Sequence, residues 1–422
     1  MSEDCVHHSL SGHLGSFWSN IDGKRKVIER ELKPSDLLSK PEQDQREQGY
    51  FYTLREIRQQ PATLLATCDI MLQARNTLNE FVHGVRLVLL TGSGSSEYAG
   101  DCVRLPLQAE LRVSAESMGS GIILTHSTKV LPPERPALML SFARSGDSPE
   151  SVGALSLTLE DEPEIRHLVL TCNKAGALAH RFRENARVRV IVLDETTNDR
   201  SLVMTSSFTG LVLAARFLGF LNTPDIYRSV CERVSRLAQH VIEDHFGSIA
   251  QVAKMSFRRA LFLASAARFA AAREAALKML EMTAGRITTL CETYLGLRHG
   301  PMSYVHEDCL IVCFLSSDPL VRAYEADLIR ELNHKQLGLS KLIVGEDIPH
   351  NLLRNTDVAV ECPGLAEIGD DNACVIDVIV GQLLGFFRCL KEGLRPDSPS
   401  EHGVITRVVE NFTLHGRSGD VL

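Results

Sequence analysis

Residues 85–96 read VRLVLLTGSGSS, a continuously apolar run that ends in a loop of glycine and serine. Three further apolar runs follow at 137–140, 167–170 and 187–193, and each also ends in a loop of small or polar residues. Strands that are buried on both faces are apolar throughout, and strands that alternate with helical segments form parallel sheets. The sequence therefore predicts a parallel sheet covered by helices on both faces.

The same pattern repeats in the second half of the chain, after Thr223-Pro224. Apolar runs alternate with helical segments there as well, at 259–265, 287–291, 309–315, 340–344 and 357–361. We therefore predict an α/β protein with two domains, each a three-layer αβα sandwich around a mainly parallel sheet. The predicted parts are an N-terminal extension at 1–49, a first domain at 50–223, a second domain at 224–395 and a C-terminal tail at 396–422.

The composition is that of a globular chain, with 422 residues, a net charge of −8 and a hydrophobic fraction of 44%. That fraction is ample for real cores, and the negative charge argues against a nucleic-acid-binding surface. The amino terminus has no apolar signal region and the chain has no run of about 18 apolar residues, so we expect neither export nor a membrane span. The eleven cysteines are scattered and form no CxxC pair, which favours reduced core thiols in the cytoplasm over a metal site.

Two consecutive loops of the first predicted sheet have the chemistry of an anion site. One is GSGSS at 92–96, and the other is ARSGDS at 143–148, which adds the guanidinium of Arg144. Where such a loop opens a helix, backbone N–H groups, hydroxyls and the helix dipole converge on a negative group. One such loop is weak evidence, whereas two in succession are specific. GSGSS matches neither GxGxxG nor the P-loop, so a sugar phosphate fits better than a nucleotide, although Arg144 could instead pair with Glu150 or Asp147.

An alanine-rich segment that begins at Ala270 carries Glu274, Lys278 and Glu281 on one stripe of a predicted helix. Their spacing places the three side chains within about 60° of one another. One interpretation is a solvated face held by glutamate–lysine pairs. Small residues surround these charges, however, so the helix should be largely packed, which makes its charges costly unless they are paired. We favour a proton-transfer site, completed by His299 on the loop that follows.

The corresponding loop of the second predicted sheet reads Ala264-Ser265-Ala266, with alanine in place of glycine. Its Cβ atoms should block the close approach of a ligand to the backbone. We therefore expect the first domain to hold the phosphate and the second to supply the chemistry.

These segments resemble the sugar isomerase (SIS) domain family, and within it the AgaS-type proteins described as tagatose-6-phosphate ketose/aldose isomerases or galactosamine-6-phosphate deaminases. The resemblance runs from about residue 50 to residue 409 and implies two SIS domains with flavodoxin-like sheets. The segments that carry it include EIRQQP from Glu56, SFARSGDSPESV from Ser141, ETTNDRSLVMTSSFTG from Glu195, AREAALKMLEMTAG from Ala272, LGLRHGP from Leu295 and GLRPDSP from Gly393.

The resemblance also implies roles for single residues. Glu281 would move a proton between C1 and C2 of the sugar, while Lys278 and Glu274 would support the reacting end. His299 would open the sugar ring, reaching in from the other subunit of a dimer. Arg407 stands where the isomerase half of glucosamine-6-phosphate synthase has a lysine near the substrate. The phosphate would be held by Ser95, Ser96, Arg144, Ser145 and Ser148.

The expected activity is conversion of galactosamine 6-phosphate to tagatose 6-phosphate and ammonia. Deamination is favoured because no glutamine-hydrolysing domain precedes the first SIS domain to deliver ammonia for synthesis. Two alternatives stay open: an aldose–ketose isomerase with the same base, and a non-catalytic sugar-phosphate regulator, although residues 1–49 lack a helix-turn-helix pattern. We expect a sugar-phosphate substrate, no metal or other cofactor, no nucleic acid, no membrane, and a homodimer or higher homo-oligomer.

Overall fold

Ten parallel strands form two separate five-stranded sheets in the computed structural model, which describes residues 32–409 and 413–415. The first sheet contains β1 (Leu87–Gly92), β2 (Ser114–Gly119), β3 (Ala137–Ala143), β4 (Ile165–Thr171) and β5 (Val188–Val192). The second contains β6 (Arg259–Ala264), β7 (Thr288–Thr293), β8 (Cys309–Phe314), β9 (Ser340–Gly345) and β10 (Val358–Glu361). The orders are β2-β1-β3-β4-β5 and β7-β6-β8-β9-β10, so both sheets have the flavodoxin-like order 2-1-3-4-5.

Helices precede the first sheet and connect the strands of both. Those of the first half are α1 (Pro34–Leu38), α2 (Glu42–Glu47), α3 (Phe51–Arg58), α4 (Gln60–Gln73), α5 (Arg75–Val82), α6 (Ser95–Leu111), α7 (Ser120–Val130), α8 (Pro149–Asp161), α9 (Ala177–His180) and α10 (Ser206–Arg216). Those of the second half are α11 (Pro224–Asp244), α12 (Phe246–Lys254), α13 (Ala267–Met282), α14 (Tyr294–Leu297), α15 (Pro319–His334), α16 (Leu365–Ile368) and α17 (Asp370–Lys391).

The predicted α/β class with two sheets of similar plan is confirmed. The prediction lacked β2, because its sequence SAESMG is polar and carries no apolar run. It is an edge strand, paired only with β1, and an edge strand needs fewer apolar residues than a central one. The extension predicted at 1–49 contains α1 and α2 in its described part. The strands of the two sheets fall within 50–223 and 224–395, and the division into domains stays a prediction.

Helix α17 is the long core helix of the second half. By length and composition it is the one helix among the described residues that could cross a membrane, with a mean hydropathy of 1.8 over 18 residues, and that window is 100% buried inside the protein. It packs against α11, α12 and α13. The cysteines of the described residues are likewise mostly buried, and all ten are free thiols.

Two glycines let α17 approach the alanine-rich helix α13 closely. A Cβ atom at Gly381 would lie 2.5 Å from the Cβ of Ala275, and one at Gly385 would lie 3.0 Å from the Sδ of Met282. Small residues on both helices therefore set the spacing between them, which accounts for the many alanines of α13. The opposite side of α13 packs against α6 of the first sheet.

The loops that open α6 and α13 have the same backbone shape. Gly94, before α6, has φ 58° and ψ −129°, and Ala266, before α13, has φ 50° and ψ −127°. Only glycine adopts these angles without strain, so alanine at 266 carries a backbone cost of about 1–3 kcal/mol. Alanine at 266 thus leaves the path of the loop unchanged, and its expected effect, blocking the approach of a ligand to the backbone, stays a prediction.

Carboxylates of the chain itself fill the crevice that follows β6 and β8. Glu325 accepts hydrogen bonds from the hydroxyl of Ser265 and the backbone N–H of Ser316, both at 2.7 Å. Asp370 accepts from the hydroxyl of Ser316 and from the backbone N–H of Ser317 at 2.9 Å. A phosphate bound at the second sheet would need these donors, and the two carboxylates already engage them.

We predict that Ala266→Gly stabilises the protein. The change relieves the strained angles and adds a smaller conformational entropy cost to folding, for a net gain of about 1 kcal/mol in the free energy of unfolding. The matched Gly94→Ala should lower it by about 1–3 kcal/mol from backbone strain alone, because a Cβ at 94 meets no atom within 4 Å. Urea unfolding of both variants measures the effects, and a lower midpoint for Ala266→Gly would contradict the interpretation.

Candidate active site

A cavity of about 320 Å³ lies beside the carboxyl ends of β1 and β3, the edge at which parallel sheets bind ligands. Its wall is formed by the loops that open α6 and α8, by one residue of α13, and by the tail segment from Ile405 to Val409, which we call the strap. The structure brings together at this wall Ser95, Ser96, Arg144, Ser145, Ser148, Glu281 and Arg407 among the predicted site residues.

The first loop places hydroxyl groups at the start of α6. Its tight turn requires glycine at 92, where a Cβ would lie 2.5 Å from the backbone carbon of Ser96. The hydroxyl of Ser96 lies 3.7 Å from the Sδ of Met204. Ser93 contacts Ser151 through their hydroxyls at 3.4 Å, and both line the cavity although neither was predicted to be a site residue. In the sequence, the SPES segment at 148–151 is the feature from which Ser151 could have been predicted as a site residue.

The second loop is braced from outside the cavity. The hydroxyl of Ser145 accepts a hydrogen bond from the backbone N–H of Asp147 at 3.2 Å, and its carbonyl accepts from the side-chain amide of Asn173 at 2.8 Å. The carboxylate of Asp147 accepts from the backbone N–H of Ala177 at 2.8 Å. Ser148 then caps α8, so the positive end of a second helix faces the cavity.

Arg144 is committed to backbone carbonyls and pairs with neither Glu150 nor Asp147. Its guanidinium donates to the carbonyls of Ser201 at 3.2 Å, Leu202 at 2.9 Å and Arg407 at 2.7 Å. Burial, and then repulsion from the Arg407 guanidinium, lowers the pKa of Arg144 below its ordinary value. Arg144 therefore puts positive charge beside the cavity while it ties the strap to the loop at 201–202.

The three charges of α13 form a cluster behind the cavity wall. The ammonium Nζ of Lys278 lies 2.5 Å from Glu281 Oε2, 3.1 Å from Glu274 Oε1 and 3.0 Å from the hydroxyl of Ser95. Lys278 and Glu274 are fully buried, whereas the side chain of Glu281 is 23% exposed and lines the cavity. The interpretation of this stripe as a solvated helix face is therefore wrong.

Burial sets the electrostatics of this cluster. It raises the pKa of Glu274 to about 7, with Lys278 opposing the shift and Glu281 adding to it. The ion pair to Lys278 is close but not aligned as a hydrogen bond, and the carboxylate accepts no other hydrogen bond from the described residues. Burial also works against the charge of Lys278, but Glu274 and Glu281 together outweigh it and raise the pKa of the ammonium.

His299 lies apart from this cavity in its own chain. It is exposed on the loop after α14, and its backbone N–H donates to the carbonyl of Gly296 at 2.9 Å. It is absent from the described residues that line the cavity. The described residues also contain no group of three or more histidine, cysteine, aspartate and glutamate side chains that could hold a metal ion.

AgaS of Streptomyces coelicolor is 35% identical to this chain over 374 residues, which cover 86% of this chain and 95% of that protein. The chain belongs to the AgaS family. The D-galactosamine-6-phosphate deaminase AgaS of Shewanella sp. strain ANA-3 is 30% identical over 392 residues, 91% of this chain and 97% of that protein. The crystal structure of tagatose-6-phosphate ketose/aldose isomerase from Escherichia coli matches with a TM-score of 0.75 and 28% identity, over 84% of this chain and 96% of that one. No family model matches the chain.

For this AgaS-family chain we predict that Glu274→Gln flattens the dependence of stability on pH. The folded pKa of Glu274 is raised from 4.5 to about 7, so the folded state binds this proton more tightly than the unfolded chain. Its contribution to stability is therefore full at low pH and is lost as the pH rises from 4.5 to about 7.

Because the amide of Gln cannot ionise, thermal unfolding midpoints measured at about pH 5 and about pH 8 should differ less in this variant than in the wild type. The burial-raised pKa of Glu56, also about 7, adds the same trend to both proteins and cancels in the comparison. Equal differences in the two proteins would show that Glu274 does not carry the shift.

Proposed function

We propose that this chain is an amino-sugar-phosphate deaminase that converts galactosamine 6-phosphate and water to tagatose 6-phosphate and ammonia. The observation that carries the proposal is that Glu281, backed by Lys278, lines the same cavity as the two serine loops. That arrangement provides a base and an anion cradle within the reach of one small sugar phosphate. The D-galactosamine-6-phosphate deaminase activity in the name of the Shewanella relative supports the choice of substrate.

The phosphate is assigned to the two loops that open α6 and α8. Ser95, Ser96, Ser145 and Ser148 supply hydroxyl and backbone donors there, and two helix N-termini add positive potential. Arg144 adds a positive charge to the wall. Its N–H groups are directed at carbonyls, so its part in phosphate binding is mainly electrostatic and positional.

The chemistry is assigned to Glu281. In the open-chain aminoaldose its carboxylate removes the proton from C2, and the resulting acid returns that proton to C1. A proton of the amino group passes to O1, so the C1 carbonyl becomes a hydroxymethyl group and C2 becomes an imine. Water then hydrolyses the imine to the ketone with release of ammonia. The Lys278 ammonium holds the Glu281 carboxylate and places positive charge near the negative charge that develops during proton transfer. Glu274 compensates the buried charge of Lys278.

His299 is assigned to ring opening in the site of a neighbouring subunit, because it is exposed and absent from its own cavity wall. Large apolar side chains are exposed on the two helices next to its loop: Leu295 on α14, and Leu320 and Tyr324 on α15, are 49%, 68% and 52% exposed, and the two helices pack together. A second copy of the chain that covers this surface would explain both observations. We propose a homodimer, or a higher homo-oligomer built from it, in the reducing cytoplasm that free thiols require.

The assay that tests the function measures ammonia released from galactosamine, glucosamine and N-acetylgalactosamine 6-phosphates. We expect release from galactosamine 6-phosphate, and Glu281→Gln should lower kcat about 10²–10⁴-fold with little change in KM, because the amide keeps the shape but accepts no proton. Exchange of solvent deuterium into C1 or C2 should disappear with it.

Three other outcomes would change this assignment. Ketose formation from the neutral aldose 6-phosphate without ammonia from any amine would select the aldose–ketose isomerase, the activity named for the Escherichia coli structure. Binding of sugar phosphates with neither reaction would select the regulator. Normal deuterium exchange in Glu281→Gln would move the base to another residue.

The shared site predicts complementation between two inactive variants. His299→Ala and Glu281→Gln should each be nearly inactive alone and regain activity when the subunits exchange. Random mixing puts half of the protein into heterodimers, in which one of the two sites carries neither lesion, so activity should recover to about a quarter of wild type. Mixed dimers that form and stay inactive would show that His299 acts within its own chain.

A further inference from the structure

The segment EIRQQP, which begins at Glu56 on α3, does not reach the cavity. Glu56 is buried beneath residues 198–202, which we call the clasp loop. Its carboxylate accepts hydrogen bonds from the backbone N–H of Arg200 at 2.5 Å and of Ser201 at 3.2 Å, and from the hydroxyl of Ser201. Three residues further along the segment, Gln59 donates to the carbonyl of Thr196 at 2.7 Å. The motif thus braces a loop.

The opposite side of the clasp loop holds the two arginines of the cavity wall. Arg144 donates to the carbonyls of Ser201 and Leu202. Arg407 of the strap donates to the carbonyl of Asp199 at 2.7 Å and to the side-chain oxygen of Asn198 at 2.6 Å. The Glu56 carboxylate and the guanidinium groups of Arg144 and Arg407 therefore bond to neighbouring peptide groups of the clasp loop.

Two peptide groups of the clasp loop are held at both ends. In the peptide that joins Asp199 to Arg200, the carbonyl accepts from Arg407 and the N–H donates to Glu56. In the peptide that joins Ser201 to Leu202, the carbonyl accepts from Arg144, and the N–H donates to the carbonyl of Asp397 at 3.1 Å. Because a peptide group is planar and rigid, a displacement at its N–H end moves its carbonyl as well.

The clasp loop is also fixed at the end that enters α10. The carboxylate of Asp199 accepts from the backbone N–H groups of Thr205 at 2.8 Å and Ser207 at 2.9 Å, and from the hydroxyl of Ser206 at 2.5 Å. Asp199 is thus satisfied by a helix N-terminus rather than by the arginines. That leaves Glu56 as the one carboxylate among the described residues that bonds to the N–H groups in the middle of the loop.

We propose that Glu56 is a positioning residue for substrate binding: through the clasp loop it sets where Arg144 and Arg407 stand and so holds the strap over the cavity. Only the kinetic test of this inference rests on the proposed sugar-phosphate function. Its structural readout, the order of the strap, is independent of any substrate.

The charge of Glu56 fits this task. Burial, and then the neighbouring Asp199 carboxylate, raises the pKa of Glu56 to about 7, while the hydrogen bonds from Ser201 and Arg200 oppose the rise. Other charged residues at the loop are Arg144, Arg407, the loop's own Arg200, and Asp397, whose carbonyl accepts from Leu202. Protonation removes the negative charge that strengthens the hydrogen bonds from the N–H groups of Arg200 and Ser201. Glu56 therefore holds the clasp loop more weakly as the pH falls through about 7.

The test compares Glu56→Gln with Glu325→Gln. Glu325 is an equally buried glutamate that accepts one backbone N–H and one hydroxyl, but it does so in the second sheet, away from the cavity. Glu56→Gln should raise KM for galactosamine 6-phosphate about 10-fold, the loss of one charge-assisted bond, with kcat within about 3-fold. Amide hydrogen exchange of the strap should accelerate. Glu325→Gln should change neither readout.

A pH series separates positioning from general destabilisation. The ratio of KM in Glu56→Gln to KM in wild type should fall towards one as the pH drops below about 7, because wild-type Glu56 then loses its charge too, and the titration of the substrate phosphate cancels in the ratio. A ratio that stays constant, or a variant with wild-type KM and strap exchange, overturns the inference.

Failure of the proposed function gives a different pattern. If wild type does not release ammonia from galactosamine 6-phosphate, the exchange measurement still decides, since unchanged strap exchange in Glu56→Gln overturns the positioning role by itself. If Glu56→Gln does not fold, Ser201→Ala, which removes only the hydroxyl bond to Glu56, takes its place with the same two readouts and a smaller expected rise. No change in either readout would again overturn the role.

Discussion

The buried ammonium of Lys278 is the constraint on which the site depends. A charge taken fully out of water must be compensated, and removing one partner of a buried pair costs about 3–5 kcal/mol. Lys278 finds its partners in Glu274 and Glu281 on its own helix and in the hydroxyl of Ser95 at the start of α6. Both carboxylates lie on the same helix as Lys278, whereas Ser95 lies on α6 of the first sheet, so one of the three contacts crosses between the two halves. That contact brings the proposed base, Glu281, beside the proposed anion-binding loop at the start of α6.

Local patterns in the sequence explain why most of the fold and part of the candidate site were predictable. Nine of the ten strands carry an apolar run that stands out in the sequence, whereas the edge strand β2 reads SAESMG and carries none. Helical periodicity fixed which side chains share a face of α13, and the close contact of the three charges follows from it. Glycine and serine at the ends of two strands marked the cavity for a similar reason, since the carboxyl ends of parallel strands meet at one edge.

The remaining parts of the site depend on contacts between segments far apart in the chain, which leave no periodic signal. Glu56 reaches Ser201 across 145 positions, and the backbone of Tyr52 donates to the Asp397 carboxylate across 345. The segments EIRQQP and GLRPDSP stand out in the sequence only by their resemblance to the family. Their hydrogen bonds to the clasp loop follow from the three-dimensional structure alone. Arg144 shows the limit most clearly: its residue type suggested an anion, yet its N–H groups serve carbonyls of two other segments.

The carboxylates that fill the crevice of the second sheet bear on the stoichiometry of the protein. Two sheets of one order offer two equivalent crevices, and a chain with this symmetry would otherwise bind two anions. Glu325 and Asp370 occupy the backbone and hydroxyl donors of the second crevice, and their negative charges oppose the binding of an anion there. For the proposed site, this arrangement implies one sugar phosphate per chain. The two halves therefore share one strand order but differ in whether the crevice of the sheet has donors left for an anion.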